Sequence, residues 1–345
     1  MKVAIIGATG YGGVELVRIL HQHKFINKYS LHSSSQAGVQ ITESYPHLSN
    51  ISKQKLETIE IEKISKEAEI VFMATPSGIS SQLTPAFIEN GVKVIDLSGD
   101  FRFSDPVMYE TWYKKTTAPR ELLEKAVYGL TELNRKKIKT ASLIANPGCY
   151  PTATILGLYP LLKNLAIDLD SIIVDAKSGV SGAGRKASLQ TNYCEINENF
   201  RIYKVNEHQH IPEIEQALKV ANSNLGPIKF NSHLVPMTRG IMATIYCKPL
   251  NSISETALRE LYVHQYENDP FVRIRRIGEY PATKEVYGSN YCDIGITFDE
   301  RTGWITIVSV IDNLMKGAAG QAVQNLNVML GIDEKTALLG PPVFP

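Results

Sequence analysis

Short apolar runs alternate with helical patterns through the first 150 residues. Lys2-Val3-Ala4-Ile5-Ile6 reads as a strand, and Val14 to Leu20 carries its apolar residues at helical spacing, which predicts a strand leading at once into a helix. Further strands are predicted at Ser30–Ser34, Ile70–Ala74 and Val92–Asp96, with a helix near Gln82–Asn90. Strands alternating with helices build a parallel, doubly wound sheet, so this half is expected to be an α/β, Rossmann-type domain.

Beyond Cys149 the texture changes. Longer alternating runs at Ser171–Asp175, Gly240–Cys247 and Trp304–Val310 predict a mostly antiparallel sheet in a second, α+β domain. The stretch from Asn313 to Leu330, rich in Ala, Leu, Gln and Val, reads as one long helix. A length of 345 residues agrees with two domains.

Charge and composition narrow the function. The 36 Lys and Arg against 35 Asp and Glu leave a net charge of +1 with no block of like charges, so no electrostatic footprint for nucleic acid is present. The chain contains no apolar run of membrane-spanning length, and the N-terminal apolar stretch meets glycine at once; neither a span nor a secretory signal is predicted, and a cytoplasmic location is expected. The four cysteines stand singly, which argues against a disulfide framework and a thiolate metal site.

Gly7-Ala8-Thr9-Gly10-Tyr11-Gly12-Gly13 lies between the first strand and the first helix. Glycine is needed where the chain turns sharply and where backbone must approach a pyrophosphate seated on a helix N-terminus; the alternative is a plain tight turn. A site for NAD usually carries an acid at the end of the second strand, but here the chain reads Ser33-Ser34-Ser35-Gln36-Ala37-Gly38. Hydroxyls hydrogen-bond a 2′-phosphate that a carboxylate would repel, so NADP is favoured as cofactor.

Asn146-Pro147-Gly148-Cys149-Tyr150-Pro151-Thr152 precedes a helical run, and Pro151 suits a first turn, so Cys149 is expected at a helix start. There the helix dipole and free N–H groups lower a thiol pKa and hold an oxyanion, which makes Cys149 the candidate nucleophile. Cys194, Cys247 and Cys292 are read as small core residues. A proton-transfer partner is offered by His208 and His210. In an extended segment the two would point to opposite sides, leaving one toward the thiol; His210, nearer Pro212 and Glu213, is favoured. A metal reading of the His-x-His pair lacks a third ligand. Lys177–Arg185, with Ser178 and Arg185, together with Arg239 and Arg102, supply donors for an anionic substrate, unless each arginine merely pairs a carboxylate.

A dinucleotide site with an activated cysteine, a histidine and anion-binding groups fits reduction of an activated acyl group through a thioester. The chain resembles N-acetyl-gamma-glutamyl-phosphate reductases of arginine biosynthesis nearly throughout. Gly7–Gly13, Val94–Arg102, Val127–Leu130, Ala145–Thr152, Lys177–Arg185, His208–Glu213, His233–Gly240 and Ser309–Ala322 carry the likeness. The resemblance implies an NADP-binding domain of residues 1–148 plus 313–345 and a catalytic and oligomerisation domain of 149–312. It implies a small acyl-phosphate substrate, no metal, and a homodimer or homotetramer. The catalytic set would be Cys149, His208 and His210. Cofactor contacts would include the glycine turn, Ser77, Gly182 and Asn313, with Asn146 among the substrate contacts; Ser77 stands where relatives often carry histidine. Aspartate-semialdehyde dehydrogenase shares this chemistry, and a carrier-bound aminoadipyl phosphate is a related substrate. Tyr159/Lys163 and Tyr280/Lys284 match the Tyr-x-x-x-Lys pair of short-chain dehydrogenases on paper, and a non-catalytic NADP sensor would leave Cys149 idle.

Overall fold

Strand β1 (Lys2–Ile6) is buried at every position after Lys2, as a central strand covered on both faces must be. A computed structural model, describing residues 1–345, pairs it in parallel with β2 (Lys28–His32) and β3 (Ile70–Met73). With β4 (Lys93–Asp96), β5 (Val127–Tyr128) and β6 (Leu143–Ala145) these form a parallel six-stranded sheet of order β2-β1-β3-β4-β6-β5. Helix Tyr11–His21 follows β1, and helix Ser80–Glu89 joins β3 to β4. Ala4, Ile6, Val71, Met73, Val94 and Phe87 belong to one buried cluster.

The chain separates into two units: Met1–Pro147 with Ala318–Leu339, and Gly148–Gly317 with Gly340–Pro345. The sequence placed the second crossing at 312/313 and kept the last residues with the first unit. Helix Gly320–Met329 belongs to the first unit and is buried throughout, although Gln321, Gln324, Asn325 and Asn327 are polar. All four amide nitrogens donate hydrogen bonds, which offsets the cost of burying them. Asn325 Nδ2 donates to Gly129 O (2.7 Å) and Asn146 Oδ1 (3.0 Å), and Gln321 Nε2 donates to Gly129 O (3.0 Å).

One expectation is corrected here. The tail is not a single helix from Asn313: a π-helical turn spans Met315–Ala319, and the α-helix begins at Gly320. Asp312 Oδ1 accepts the N–H groups of Leu314 and Met315, while Asn313 spends its side chain on Gly240 N–H and the Ser181 hydroxyl. Those bonds hold the chain in a tight turn before regular helix starts.

The second unit carries a mixed seven-stranded sheet. It comprises β7 (Ile173–Gly179), β8 (Arg201–Tyr203), β9 (Lys229–Val235), β10 (Ile241–Cys247), β11 (Val272–Ile274), β12 (Cys292–Asp299) and β13 (Trp304–Ile311). Its order is β11-β12-β13-β10-β7-β9-β8. The β7/β9 and β11/β12 pairs are parallel and the other four antiparallel. Burial along β9 and β10 alternates residue by residue, the mark of a sheet with one covered face. Helix Cys149–Lys163 packs on β10 and β13. It is buried at every position from Tyr150 to Leu158, so its first residue starts from a rigid element. No helix is long and apolar enough to cross a membrane.

Candidate functional site

In the first unit the glycine turn fits a phosphate. Gly7 takes a φ of +87°, open to glycine at little cost. Its N–H and that of Ala8 donate to His32 O (3.0 and 3.3 Å), and Gly10 N–H donates to Gly7 O (3.1 Å). A side chain on Gly13 would strike Gly7 O and the backbone of Ala8, whereas the space beside Gly12 is open. Helix Tyr11–His21 has no side-chain cap, so its first N–H groups remain available to an anion. Thr9 O accepts the Tyr45 hydroxyl (2.9 Å). Ser33 is buried with its N–H on Glu57 O (3.1 Å), and Ser34 and Ser35 are exposed just beyond β2. Ser77 takes the Lys115 ammonium on its carbonyl and, at 3.1 Å, on its hydroxyl. The residues present therefore suit a dinucleotide diphosphate, with two free-standing hydroxyls at the end of β2.

In the second unit the helix begins at Cys149, with Gly148 as its N-cap. Cys149 opens onto a cavity of about 370 Å³ shared with Tyr150, Ser178, Tyr203, His208 and His210, and Arg201 and Lys204 bring positive charge to its wall. Both histidines face it, which corrects the expectation from an extended segment. Gln209 is in the right-handed helical region at φ −60° and ψ −13° as helix His210–Leu218 begins. The two rings lie on one side with centroids 4.7 Å apart.

Glu213, fully buried, ties this corner together. Its Oε1 accepts Gly148 N–H (2.8 Å), and its Oε2 stands 4.0 Å from His210 Nε2. A carboxylate thus steers both the residue before the thiol and the neighbouring imidazole. Burial, aided by Lys204, holds His208 down at about 3, so it is uncharged at neutral pH. Burial raises the Tyr150 phenol far above its ordinary range and the Tyr203 phenol to about 12. Both stay protonated as hydrogen-bond donors.

Of the expected substrate groups, Ser178 lines this cavity, as does Gly182 from the cofactor set. Arg239 is instead bound to the buried Asp312 (Nε to Oδ2, 3.0 Å) and lies over the Tyr287 ring. Arg185 lies on an exposed stretch. Arg102 and Asn146 belong to the first unit, where Arg102 Nε donates to Asn146 O (2.9 Å) and Asn146 Nδ2 to Ala318 O (3.1 Å). Cys247 and Cys292 are buried core residues, and burial pushes Cys247 up to about 12. Cys194 departs from that expectation: it is exposed, in the short helix Tyr193–Ile196. Tyr280 and Lys284 share no α-helix, and Lys163 is turned to Gln265 (2.9 Å), so neither Tyr-x-x-x-Lys match forms a site. No group of three His, Cys, Asp or Glu side chains is placed to hold a metal ion. Sequence reasoning missed Arg201 and Tyr203; no local motif marks them, because β9 pairing alone brings β8 to the cavity.

Residues 2–141 match the family model "Semialdehyde dehydrogenase, NAD binding domain", and residues 149–313 match "Semialdehyde dehydrogenase, dimerisation domain". Over 345 residues, and 100% of both chains, the sequence is 61% identical to an N-acetyl-gamma-glutamyl-phosphate reductase of Geobacillus sp. (strain WCH70). It is 56% identical, again over both full chains, to the enzyme of that name from Bacillus subtilis (strain 168). Among solved structures, aspartate semialdehyde dehydrogenase II from Vibrio cholerae, complexed with ASA, aligns with a TM-score of 0.72 at 20% identity, covering 96% of this chain and 98% of that one. The aspartate semialdehyde dehydrogenase with NADP from Candida albicans gives 0.71 at 16% identity, covering 95% and 98%. These two establish the shared fold.

Proposed function

Because the chain belongs to the N-acetyl-gamma-glutamyl-phosphate reductase family, an oxidoreductase family of arginine biosynthesis, we propose that it reduces N-acetyl-L-glutamyl 5-phosphate to N-acetyl-L-glutamate 5-semialdehyde through a thioester on Cys149. The observation that carries this reading is Cys149 at a helix start, opening onto the same cavity as His208 and His210. Cys149 Sγ bonds to the acyl carbon, its proton passes to His210, and the bond from carbon to the phosphate oxygen breaks to release phosphate. NADPH, when bound at the Gly7–Gly13 turn, supplies the hydride that the acyl carbon accepts. The carbon–sulfur bond then breaks, and His210 returns the proton to the thiolate as the semialdehyde leaves.

In this reading Gly7, Thr9, Gly10, Tyr11, Gly12 and Gly13 hold the diphosphate, and Ser33, Ser34 and Ser35 favour NADP over NAD. Ser77, Gly182 and Asn313 complete the cofactor contacts; Ser178, Arg102, Asn146, Arg185 and Arg239 are the substrate set. Residues 1–148 plus 313–345 serve the cofactor and 149–312 catalysis and self-association, as a cytoplasmic homodimer or homotetramer. The match of residues 149–313 to a dimerisation domain supports the last point.

The test is phosphate-dependent reduction of NADP with N-acetylglutamate semialdehyde, run beside aspartate semialdehyde and beside NAD. Turnover is expected with the first aldehyde, at least about tenfold better with NADP than NAD, since each hydrogen bond to a charged group contributes about 1.5–3 kcal/mol. Cys149→Ser should abolish it while leaving NADP binding intact. Equal turnover of aspartate semialdehyde, or an active Cys149→Ser enzyme, refutes the proposal.

A further inference from the structure

His208 is held by hydrogen bonds of fixed polarity. The backbone N–H of His210 donates to His208 Nδ1 (3.1 Å). A backbone amide cannot give up its proton, so Nδ1 must present a lone pair and the ring proton sits on Nε2. Nε2 lies 3.4 Å from the Tyr203 hydroxyl, which therefore accepts from it. Tyr203 in turn donates to the Tyr150 hydroxyl (3.3 Å), and Tyr150 donates to His233 O in β9 (3.0 Å). The chain of donors runs one way, from the imidazole to a strand carbonyl, with no rotor left free to reverse it. Around it the rings are wedged edge to face, His208 against Tyr150 at 5.3 Å and against Tyr203 at 5.6 Å.

We propose that Tyr203, backed by Tyr150, is a positioning residue of the thiol cavity: by accepting the Nε2–H of His208 it locks that ring as an uncharged scaffold for the His210 backbone, leaving His210 to move the proton. Two histidines separated by one residue thus take different roles through backbone geometry, which a His-x-His motif does not reveal. The role given to His210 rests on the reductase reading; the tautomer of His208 does not.

The surroundings agree. The ring packs on Tyr150 of helix Cys149–Lys163 and on Tyr203 of β8, and Cys149, Arg201 and Lys204 line the same cavity. His210 and the buried Glu213 stand on the next helix, and β9 contributes the apolar Phe230. Of these only Glu213 and the thiol, if ionised, would favour a charged ring. Glu213 is already committed to Gly148 N–H, while Lys204 and burial oppose the charge.

The test is nitrogen NMR of the full-length protein with ¹⁵N-labelled histidine, the His208 signals being assigned by their loss in His208→Asn. His208 is expected as the neutral Nε2–H tautomer from about pH 8 down to about pH 5, with no titration. An Nδ1–H tautomer, or protonation near the ordinary midpoint of about 6.5, overturns the proposal. Tyr203→Phe keeps the aromatic ring but removes the acceptor: His208 should stay the Nε2–H tautomer, which the His210 amide dictates, but its Nε2 signal should shift as that hydrogen bond is lost, and kcat should fall about tenfold while the acid limb of the pH profile survives. In a His208→Ala background the same substitution should cost little, because Tyr203 acts through His208. An unchanged His208 spectrum in Tyr203→Phe, or an equal cost in both backgrounds, also overturns it. An Nε2–H ring in a protein without reductase activity would sink the functional reading and leave the tautomer lock standing.

Discussion

Replacing Gly148 by alanine is a sharp probe of the thiol corner. Gly148 sits at φ −68° and ψ 158°, extended backbone that alanine adopts without strain, so the perturbation is steric alone. Its Cβ would lie 2.5 Å from His210 Nε2 and 2.9 Å from Cδ2 and Cε1. Ordinary contact needs about 3.5 Å or more, so the imidazole must retreat by about 1 Å. Glu213 grips the Gly148 N–H at 2.8 Å, which keeps the backbone from yielding instead. A displacement of about 1 Å at a group that must meet a reacting atom costs about 10²-fold in rate, or about 2.7 kcal/mol of barrier. Overpacking should also cost about 1–3 kcal/mol of stability, partly offset by about 0.4–1 kcal/mol from a less flexible unfolded chain. The assay is kcat/KM for phosphate-dependent NADP reduction, with a thermal melt on the same sample. Gly226→Ala, at a site with no atom within 4 Å of the added carbon, is the control and should match the parent. A Gly148→Ala enzyme within about twofold of the parent would refute the role given to His210.

Gly13→Ala meets only backbone, at Gly7 and Ala8, so the turn must shift; NADP affinity by fluorescence titration should fall at least about tenfold, and retained affinity would remove the diphosphate site from this turn. Asp312→Ala leaves Arg239, otherwise paired at 3.0 Å, without its carboxylate and releases the Gly288 N–H held at 2.7 Å. Breaking such a buried pair costs about 3–5 kcal/mol, readable in urea denaturation, and a change below about 1 kcal/mol would contradict the buried pairing. His208, at about 3 when folded against 6.5 as its ordinary value, takes up a proton in the unfolded chain first. Stability should therefore fall as pH drops from about 6.5 toward 3, by up to about 1.4 kcal/mol per unit. His208→Asn should flatten that slope, and an unaltered slope would assign the acid sensitivity to other groups.

Much of this protein was determined by local sequence. The turn after β1 was legible because a strand, three spaced glycines and an amphipathic helix are neighbours in the chain, and each constrains the next through backbone geometry alone. Cys149 at a helix start was legible for the same reason: Gly148 and Pro151 set the first turn without help from elsewhere. Alternation in β7 and β10, against unbroken burial in β1 and β3, separated the two sheets because side-chain direction in a strand depends only on residue parity. What only tertiary structure decided are partnerships between distant residues. Arg239 was read as an anion-binding group, but Asp312, 73 residues away, takes it. Nothing in the helical pattern of the tail gave Gln321 and Asn325 their partners; their amides donate to Gly129, Thr131 and Asn146, up to 196 residues away. Tyr203 carries no motif and enters the cavity through the β8/β9 register. Even His208 and His210, two positions apart in sequence, needed the fold to tell them apart, because a ring's protonation is set by what its two nitrogens touch rather than by its place in the chain.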